Sequence, residues 1–440
     1  MRVYTFVSKQ GDSIPIAQRI AQEGHRVQFY INDKDAREVG NGIVEKHKEA
    51  GVLVAPSGKV DNKVLDNLLS PTPDCIIMDM VGNGFGVAAD KYRRAGIPVI
   101  GGCEWGDRIE LDRPFGAKVM QTTGINSPKS HVFTDYAKAI AFVKKTRDVY
   151  VYKPSGNQPT TTTYVAQGPE DLIGMLEFYS KDIHEEFELQ EKVQGIEIST
   201  ELWFNGKDVL NVNHTMEEKA LMEGGKGPKT GCMGSVVWIG NEKSRIYKES
   251  LGKLIPLLKK IKYKGPLDIN AIVNKDHFWG LEFTARFGYD AIFILLEMMK
   301  NKINDLLYST ATGTYIPVKF KANIGIGIDL AIPPYPLADC DPGLYKDTLI
   351  QGLNKHNLKH VWTYDVYKKK ERYLASGNGG DIGTVTARGD DIQGFSPLRD
   401  AKRRAMRTIN NLVIPDVMYR TDIGNRVERE REQLVKWGWM

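Results

Sequence analysis

Three polar side chains alternate along one short stretch of the sequence in a pattern that can do chemistry. Residues 280–288 read Gly-Leu-Glu-Phe-Thr-Ala-Arg-Phe-Gly, so Glu282, Thr284 and Arg286 occupy every second position. In a β-strand such positions share one face. A carboxylate and a guanidinium on a wet strand face can hold a divalent metal beside a transferring phosphate. On these residues alone, a half-buried strand with a surface ion pair is the simpler interpretation.

Length and composition indicate a globular protein of several domains. The 440 residues are too many for one ordinary hydrophobic core and predict about two to four domains. Hydrophobic residues make up 41% and charged residues 26% of the chain, as in soluble globular proteins. The net charge of +5 is small beside 60 basic and 55 acidic residues. It permits anionic small-molecule ligands and does not by itself indicate nucleic acid.

The cysteines and the apolar segments favour a reducing, aqueous compartment. Cys75, Cys103, Cys232 and Cys340 lie far apart, with no Cys-x-x-Cys pair, which argues against a disulfide scaffold or a structural metal site. The longest apolar run, 291–299, contains a glutamate and is too short to cross a bilayer. The first residues are apolar over too few positions for a signal peptide. We therefore expect a cytoplasmic protein without membrane association.

The first hundred residues alternate predicted strands and helices. Strands are predicted at 3–7, 27–31, 75–80 and 98–100, and helices at 14–23 and 88–95. This order is typical of a parallel sheet with helices on both faces, in which ligands bind at the carboxyl ends of the strands. The loops at those ends are 8–13 and the glycine-rich 81–86. Each can present backbone N–H groups to a phosphate or form a plain turn.

Beyond residue 113 the pattern changes to longer strands and separate helices. Helices are predicted at 113–121 and near 247–261, and strands at 149–153, 187–192, 196–205, 267–273 and 278–283. A polar loop fills 216–234. From about residue 328 the chain is predicted to form a separate block, with a hairpin at 373–388 and a basic helix at 398–412.

Several polar features follow one another along the chain. Their occurrence together in this order is far less probable by chance than the occurrence of any one feature alone. Lys153 ends a strand and precedes a loop rich in Gly, Pro and Thr, and a later strand turns at Gly195 towards Glu197. The glycine-rich loop 227–234 comes next, and the strand with Glu282 comes last. Taken singly, each feature has a simpler interpretation. Lys153 can be an exposed strand lysine, Glu197 a solvated hairpin charge and the glycine-rich loop a surface turn.

These motifs resemble the ATP-grasp ligases and, within them, the glycinamide ribonucleotide synthetase (phosphoribosylamine–glycine ligase) family. Residues 227–234, Gly-Pro-Lys-Thr-Gly-Cys-Met-Gly, are close to the family's Gly-Pro-Asn-Thr-Gly-Gly-Met-Gly, and 282–288 are close to its Glu-Phe-Asn-x-Arg-Phe-Gly. Near the C-terminus, Gly379-Gly380, 385–387 and 420–424 resemble the family's last domain.

The resemblance implies a mixed fold of α/β and α+β parts with three domains. A Rossmann-like, pre-ATP-grasp substrate domain is expected at 1–112. The ATP-grasp domain is expected at 113–327, with a lid subdomain at about 122–190, and a β-rich C-terminal domain at 328–440. The loop 154–163 is the candidate for a lid that closes over the reactants.

The resemblance also assigns roles at the nucleotide end. Lys153 and Arg113 would face the ATP phosphates, the hinge at 190–193 would read adenine, and Glu197 would hold the ribose hydroxyls. Glu282 and Thr284 would ligate Mg²⁺ or Mn²⁺, while Arg286, with Lys153, would act in catalysis by holding the transferring phosphoryl group. The ATP-binding set is Arg113, Lys153, Glu191, Lys192, Val193 and Glu197.

The acceptor substrates would lie against the loop at 227–234 and the residues around it. This predicted set is Glu217, Lys219, Gly227, Pro228, Lys229, Thr230, Gly231, Met233, Asp268, Tyr289 and Asp290. Asp268 and Asn270 are polar residues on the strand expected beside Glu282. They can serve the metal, serve a new substrate, or reflect ordinary polarity of an edge strand.

The chain departs from the family mainly on the substrate side. Thr284 stands where the family has a metal-binding asparagine, and Tyr289-Asp290-Ala291 replaces Asp-Pro-Glu. The family's N-terminal Gly-Asn-Gly-Gly-Arg-Glu-His is absent, and 8–13 stands in its place; Val81-Gly82-Asn83-Gly84 replaces a Gly-Pro-Glu turn. The glycine-rich lid loop is replaced by 156–163, which contains threonines and a proline and is expected to be stiffer.

The resemblance therefore implies an ATP-dependent carboxylate–amine ligase that works through an acyl phosphate, as in purine biosynthesis, with an acceptor that need not be phosphoribosylamine. Its partners would be an amino acid, an amine and ATP, and the protein would be a monomer or homodimer. The alternative is a catalytically impaired ATP-binding homologue with a binding or regulatory role. Nucleic-acid binding through the basic helix is a weaker hypothesis, because those charges equally describe a solvated helix face.

Overall fold

The computed structural model describes residues 1–46, 53–54, 58–154, 163–179, 186–337, 342–391 and 396–440. Most of the candidate lid, residues 155–162, and Cys340 lie outside the described residues. The other three cysteines are buried and free. Among the described residues, no helix combines the length and the apolar character that a membrane span requires.

The described residues form helices and strands throughout the chain. The helices are α1 (Ile14–Gln22), α2 (Asn62–Leu68), α3 (Phe85–Arg94), α4 (Glu104–Leu111), α5 (Arg113–Thr123), α6 (Tyr136–Thr146), α7 (Pro169–Tyr179), α8 (Arg245–Glu249), α9 (Ile255–Ile261), α10 (Ala291–Met298), α11 (Ile303–Thr312), α12 (Pro397–Ile409) and α13 (Val427–Lys436). Short 3₁₀ turns lie at Glu223–Gly225, Leu251–Leu254, Pro342–Tyr345 and Leu358–His360.

The strands are β1 (Val3–Ser8), β2 (Arg26–Ile31), β3 (Cys75–Asp79), β4 (Val99–Ile100), β5 (Ser130–Phe133), β6 (Tyr150–Pro154), β7 (Tyr164–Val165), β8 (Phe187–Glu191), β9 (Ile196–Asn205), β10 (Val209–Glu217), β11 (Ala220–Met222), β12 (Lys226–Lys229), β13 (Gly234–Ile239), β14 (Lys264–Val273), β15 (Phe278–Thr284), β16 (Ile324–Ala331), β17 (Leu349–Ile350), β18 (Val361–Thr363), β19 (Val366–Lys369), β20 (Arg372–Ala375) and β21 (Asp381–Arg388).

The N-terminal part is a parallel sheet, as the β-α-β pattern predicts. Its four strands lie in the order β2-β1-β3-β4, and every pair is parallel. All five residues of β3 are buried, because helices cover both faces of a parallel sheet. β1 and β3 end at Ser8 and Asp79, so these two polar residues meet at the carboxyl edge of the sheet.

A second, smaller sheet is antiparallel and has its own core. Its strands lie in the order β5-β8-β6-β7. Tyr152 and Leu189 point into a core shared with α6 and α7, and the hydroxyls of Tyr136 and Tyr152 lie 3.1 Å apart. Because side chains alternate along a strand, the paired residues Lys153 and Glu188 fall on the opposite face of this small sheet from Tyr152 and Leu189.

The largest sheet has eight antiparallel strands in the order β15-β14-β9-β10-β13-β16-β21-β18. Its strands come from the middle and from the C-terminal part of the chain. β9 shows the alternation clearly: Ile198 and Leu202 are buried in the main hydrophobic core, while Ser199 and Glu201 point to the other face. This polar face of the large sheet carries five of the predicted site residues: Glu197, Glu217, Asp268, Glu282 and Thr284.

Two expectations about the secondary structure are wrong. The stretch 373–388 is not a hairpin, because β20 pairs with β17 and β19 while β21 pairs with β16 and β18. β8 and β9 follow each other in the chain but belong to different sheets. The helix expected at 247–261 is broken into α8, a 3₁₀ turn and α9. In each case the pairing or break depends on distant partners that the local pattern does not specify.

The C-terminal residues complete the large sheet. β16 runs from residue 324 to residue 331 and so crosses the expected domain boundary between 327 and 328. It pairs with β13 on one side and β21 on the other. Residues beyond 328 therefore share a continuous sheet with residues before it.

Trp439 attaches the C-terminal residues to the large sheet. Its side chain is fully buried in the main core, its indole N–H donates to the Asn274 carbonyl at 2.7 Å, and the Arg245 guanidinium lies 3.7 Å from the ring centroid. We expect Trp439→Ala to lower the free energy of unfolding by about 3–5 kcal/mol, because it removes a large buried aromatic side chain. Urea denaturation measures this loss.

Trp437→Ala is the matched control, since Trp437 is only partly buried against the same core. Its cost should be clearly smaller than that of Trp439→Ala. Equal costs for the two variants would contradict the anchoring role of Trp439.

Candidate active site

The strand register places a row of polar side chains on one face of the large sheet. In β15 and β14, Glu282 lies opposite Asn270 and Thr284 lies opposite Asp268. In β14 and β9, Asp268 lies opposite Glu201. Three carboxylates and two other oxygen-bearing side chains therefore lie within three adjacent strands, as the alternating pattern at 280–288 predicts for its own strand.

Two cations balance the carboxylate of Glu282. Arg113 Nη1 lies 3.5 Å from Glu282 Oε2, and Arg113 Nε donates to the Pro154 carbonyl at 3.2 Å. Burial alone would raise the pKa of Glu282, but the charges of Lys153, Arg113 and Lys219 outweigh it and lower that pKa. Burial lowers the pKa of Lys153, and the charge of Glu282 acts in the opposite direction.

Lys153 and Glu282 face each other across a cleft of about 900 Å³. The small sheet contributes Lys153, Glu188 and Gln190 to its walls, and the large sheet contributes Leu281 and Glu282. Residues of α5 and the segment 124–131 form the remaining wall. The structure thus brings together Arg113, Lys153 and Glu282, which lie far apart in the sequence.

The predicted hinge residues line a different hollow. Glu191, Lys192 and Val193 border a cavity of about 440 Å³ with Asp148 and Gln167. Lys192 is fixed there, since its ammonium donates to the Ala166 carbonyl at 2.8 Å. The role of these three residues in reading adenine stays a prediction.

Lys219 lies among the carboxylates of the large sheet. Its Nζ is 3.2 Å from Glu217 Oε2 and 3.9 Å from Glu197 Oε1. Burial lowers the pKa of Lys219, but the neighbouring carboxylates, Glu217 first, outweigh it and raise that pKa. Asn270 donates to Glu197 Oε1 at 3.1 Å. Glu197 and Lys219 are therefore neighbours, although the predictions assigned them to different substrates.

Arg286 is held by a residue that the sequence analysis missed. Glu110, in α4, accepts from Arg286 Nε at 2.9 Å and from the Ala285 backbone N–H at 2.8 Å. Burial lowers the pKa of Arg286, and the charge of Glu110 and its hydrogen bond outweigh that effect and raise it. Nothing in the local sequence around residue 110 indicates this contact, because its partner lies in a distant strand.

The loop at 227–234 extends from a fixed inner end to an exposed tip. Its outer residues are exposed: Gly227, Pro228, Lys229 and Gly231. Thr230 donates through its backbone and its hydroxyl to the Lys219 carbonyl, and the Met233 N–H donates to Glu218.

The C-terminal segment fastens this loop. Arg420 is 2% exposed and donates to the Ala220 carbonyl at 2.9 Å. Arg426 donates to the Glu217 carbonyl at 2.8 Å and pairs with Glu218 at 2.6 Å. The motif at 420–424 that supports the family resemblance therefore lies against the loop at 217–234.

Tyr289 and Asp290 lie where the chain leaves β15 for α10. The Tyr289 ring packs on Phe293 with centroids 5.5 Å apart. Asp290 is buried and accepts from Ser235 Oγ at 3.1 Å. Burial raises the pKa of the Asp290 carboxyl to about 6.

Glu282, Asp268 and Thr284 are oxygen-bearing neighbours on two paired strands. Hard cations such as Mg²⁺ prefer carboxylate and hydroxyl oxygens. Burial and the charges of Glu201 and Glu217 raise the pKa of Asp268 well above its ordinary value. A nearby divalent cation would remove that penalty. The chemistry of these side chains therefore fits such an ion.

Comparisons with known proteins agree with this geometry. Residues 112–291 match the family model described as the phosphoribosylglycinamide synthetase, ATP-grasp (A) domain. The curated phosphoribosylamine–glycine ligase of Halalkalibacterium halodurans is 24% identical over 354 residues, which cover 78% of this chain and 80% of that protein.

Solved structures show the same fold. The phosphoribosylamine–glycine ligase of Thermotoga maritima superposes with a TM-score of 0.70 at 19% identity, covering 96% of this chain and all of that one. The biotin carboxylase domain of the Hydrogenobacter thermophilus 2-oxoglutarate carboxylase, in complex with MgADP, ADP and bicarbonate, gives a TM-score of 0.64 at 13% identity, covering 100% and 96% of the two chains.

Glu201 gives a pH-dependent test of the acidic face. It is 4% exposed, and burial raises its pKa to about 7 despite a hydrogen bond from Trp203 Nε1 at 2.9 Å. The folded state therefore binds the proton of Glu201 more tightly than the unfolded state does. As the pH rises above the ordinary pKa of a glutamate, the buried carboxylate ionises at a cost in folding stability, and this cost is complete above pH 7. Without divalent cations, Glu201→Gln should raise the melting temperature by a few degrees more at pH 8 than at pH 5.

Glu371→Gln serves as the control, because the Glu371 side chain is 90% exposed. Its effect on the melting temperature should be small and nearly equal at the two pH values. A Glu201→Gln variant that is destabilised equally at pH 5 and pH 8 would show that Glu201 carries no unfavourable charge.

Proposed function

We propose that the chain is a member of the phosphoribosylglycinamide synthetase family of ATP-grasp proteins, whose ATP-grasp domain model matches residues 112–291, and that it is an ATP-dependent carboxylate–amine ligase. It joins a carboxylate, with an amino acid as the first candidate, to an amine and releases ADP and phosphate. The single observation that carries the proposal is the pairing of Glu282 with Arg113 and Lys153 at one end of a nucleotide-sized cleft.

The charges at this end suit a polyphosphate with its metal ion. Arg113 and Lys153 would attract phosphate oxygens, whereas the Glu282 carboxylate would repel them unless a divalent ion offset its charge. Bound Mg²⁺, or Mn²⁺, would supply this positive charge and stabilise the negative charge that develops during transfer. Glu282, Thr284 and Asp268 are the proposed ligands, with Asp268 occupying the strand position opposite Thr284.

The first chemical step activates the carboxylate. A carboxylate oxygen attacks the γ-phosphorus of ATP, the bond from that phosphorus to the β,γ-bridging oxygen breaks, and ADP leaves with the electron pair. Lys153 and Arg113 hold the phosphate oxygens of the nucleotide in this step. Arg286 is the proposed contact to the phosphoryl group in transfer, and Glu110 fixes its direction through the bond to Nε.

The second step forms the amide. The amine nitrogen attacks the acyl carbon of the acyl phosphate, the bond from this carbon to the phosphate oxygen breaks, and inorganic phosphate leaves while the nitrogen loses one proton. The protein supplies position and charge and needs no nucleophile of its own. Water has to be kept from the acyl phosphate, which is the proposed role of the segment 154–163.

The remaining assignments follow from the family and belong to this proposal. The three domains are 1–112, 113–327 and 328–440, with the last contributing strands to the central sheet. The substrates are small molecules, the protein acts in the cytoplasm as a monomer or homodimer, and the hinge at 190–193 with Glu197 binds the nucleoside.

Trapping with hydroxylamine tests the proposed activation step. Hydroxylamine attacks acyl phosphates to give hydroxamates, which form coloured iron(III) complexes, so carboxylates can be screened without knowing the acceptor. The wild-type protein with Mg-ATP should give hydroxamate from one carboxylate of an amino-acid panel. Glu282→Gln should lower this yield about 100-fold or more, because it removes a metal-binding charge.

Glu432→Gln is the control, because Glu432 is exposed and lies outside the cleft lining. Unchanged hydroxamate formation in Glu282→Gln would remove Glu282 from the site. Tight Mg-ATP binding by the wild type without hydroxamate from any carboxylate would favour the catalytically impaired, ATP-binding alternative.

A second test concerns Glu110 as the residue that positions Arg286. Glu110→Gln keeps the shape but loses the charge that pairs with the guanidinium, so we expect kcat to fall about 10- to 100-fold. The KM for ATP should change by much less, since the hydrogen bonds of Glu110 go to Arg286 and to the Ala285 backbone. Glu104→Gln, on the exposed start of the same helix, should leave both parameters unchanged. An equal loss in KM and kcat would contradict the positioning role.

A further inference from the structure

Buried polar groups gather at the carboxyl edge of the parallel sheet. Ser13 is fully buried and Asp79 is 5% exposed. Burial raises the pKa of Asp79 to about 7, while the neighbouring hydroxyls of Ser13 and Tyr289 act to lower it. Asp79 also accepts from Ser8 Oγ at 3.2 Å. This edge of a parallel sheet is where ligands bind.

A cavity of about 250 Å³ lies beside this edge, between the N-terminal loop and the C-terminal residues. We call it the acidic cavity, because Asp12, Asp365 and Asp381 line it with uncharged residues. The full lining is Gln10, Asp12, Val39, Tyr335, Pro336, Leu337, Tyr364, Asp365, Asn378, Gly379 and Asp381. Within the described part of the chain, this lining contains no Lys, Arg or His.

Of the three carboxylates, Asp365 has a structural role. It accepts from the backbone N–H groups of Asn378 and Gly380, at 2.9 and 2.8 Å, and from the Ser376 hydroxyl. These bonds fix the turn that joins β20 to β21. Asp381 is different, because its Oδ1 is shielded from solvent and has no partner among the described residues.

Asp12 connects the acidic cavity to the reaction centre. The charge of Arg286 lowers its pKa, although burial is the larger effect and raises that pKa overall. Asp12 also interacts with the carboxyls of Asp79 and Asp381. Burial is the main cause that raises the pKa of each of these carboxyls, and the charge of Asp12 raises both further. A ligand in the acidic cavity would therefore lie next to the side chain that is expected to hold the transferring phosphoryl group.

We propose that the acidic cavity binds the acceptor amine of the ligase, and that this acceptor carries a second ammonium group and no phosphate. The inference rests on the proposed ligase function and specifies its substrate class. An ammonium group supplies a hydrogen-bond donor for Asp381 Oδ1, which has no partner among the described residues, and a positive charge beside Asp12. The second amine, nearer to Arg286, attacks the acyl phosphate.

A phosphorylated acceptor does not fit these charges. No Lys, Arg or His in the lining would balance the charge of a phosphate, and a phosphate beside the aspartates would oppose their ionisation. The sequence departures agree with this conclusion, since 8–13 stands where the family has its Gly-Asn-Gly-Gly-Arg-Glu-His motif. This loop brings Asp12 and the hydroxyls of Ser8 and Ser13 to the edge of the sheet.

Three amines of equal length test the inference directly. The carboxylate is first identified by hydroxamate formation, and phosphate release is then measured with 1,3-diaminopropane, 3-amino-1-propanol and 3-aminopropyl phosphate, followed by longer diamines and spermidine. We expect amide formation with a diamine or spermidine at a kcat/KM about 10- to 100-fold above the aminoalcohol, and none with the phosphate.

Asp12→Asn and Asp381→Asn test the cavity itself. Hydroxylamine carries no second ammonium group, so its KM should not depend on the cavity. In each variant the KM for the diamine should therefore rise about 10- to 100-fold relative to the KM for hydroxylamine. Asp35→Asn is the control, since Asp35 is exposed and lies outside the cavity lining. It should leave the ratio unchanged.

The outcomes separate the inference from the proposed function. Activity with 3-aminopropyl phosphate alone, equal activity with the aminoalcohol, or an unchanged KM ratio in both aspartate variants would overturn the inference. So would failure of every diamine while hydroxamate still forms. Absence of hydroxamate with every carboxylate would instead overturn the ligase function itself.

Discussion

The antiparallel pairing of β15, β14 and β9 is the constraint on which the site depends. Its register puts Glu282, Asp268 and Glu201 on one face of the sheet, and carboxylates crowded together in this way are stable as charged groups only if other charges offset them. Elements outside the three strands supply those charges: α5 brings Arg113 and the small sheet brings Lys153. The cleft exists because the small sheet has to lie over the acidic face of the large one.

The balance of charge differs between the two ends of the site. Around Glu282 the cations lower the carboxyl pKa, so this end is ready for a metal ion and phosphates. Burial raises the carboxyl pKa values of Asp12 and Asp79, and the charge of Asp12 adds to this effect at Asp79, so this end favours a cation. The charge of Arg286, which Glu110 holds, acts on both of these carboxyls. In the proposed ligase, this difference in charge would place the nucleotide at one end and the amine at the other.

Local patterns in the sequence predict the elements well and their long-range partners poorly. The alternating Glu282 and Thr284, the parallel N-terminal sheet and the basic helix α12 all follow from residue periodicity. The supposed hairpin at 373–388 fails because strand pairing is decided by the whole sheet, where β21 finds β16 and β18. Glu110 and Glu201 could not be recognised for a similar reason, since a helix glutamate and a buried strand glutamate have no signature until their partners are known.

Arg420 and Arg426 fasten the loop at 217–234. Their position near the C-terminus affects when the protein becomes functional during synthesis. The ribosome makes the loop some two hundred residues before the arginines that hold it. The segment at 217–220 therefore stays unfastened until the C-terminal residues have been made. A nascent chain would acquire its complete substrate site only when translation is nearly finished.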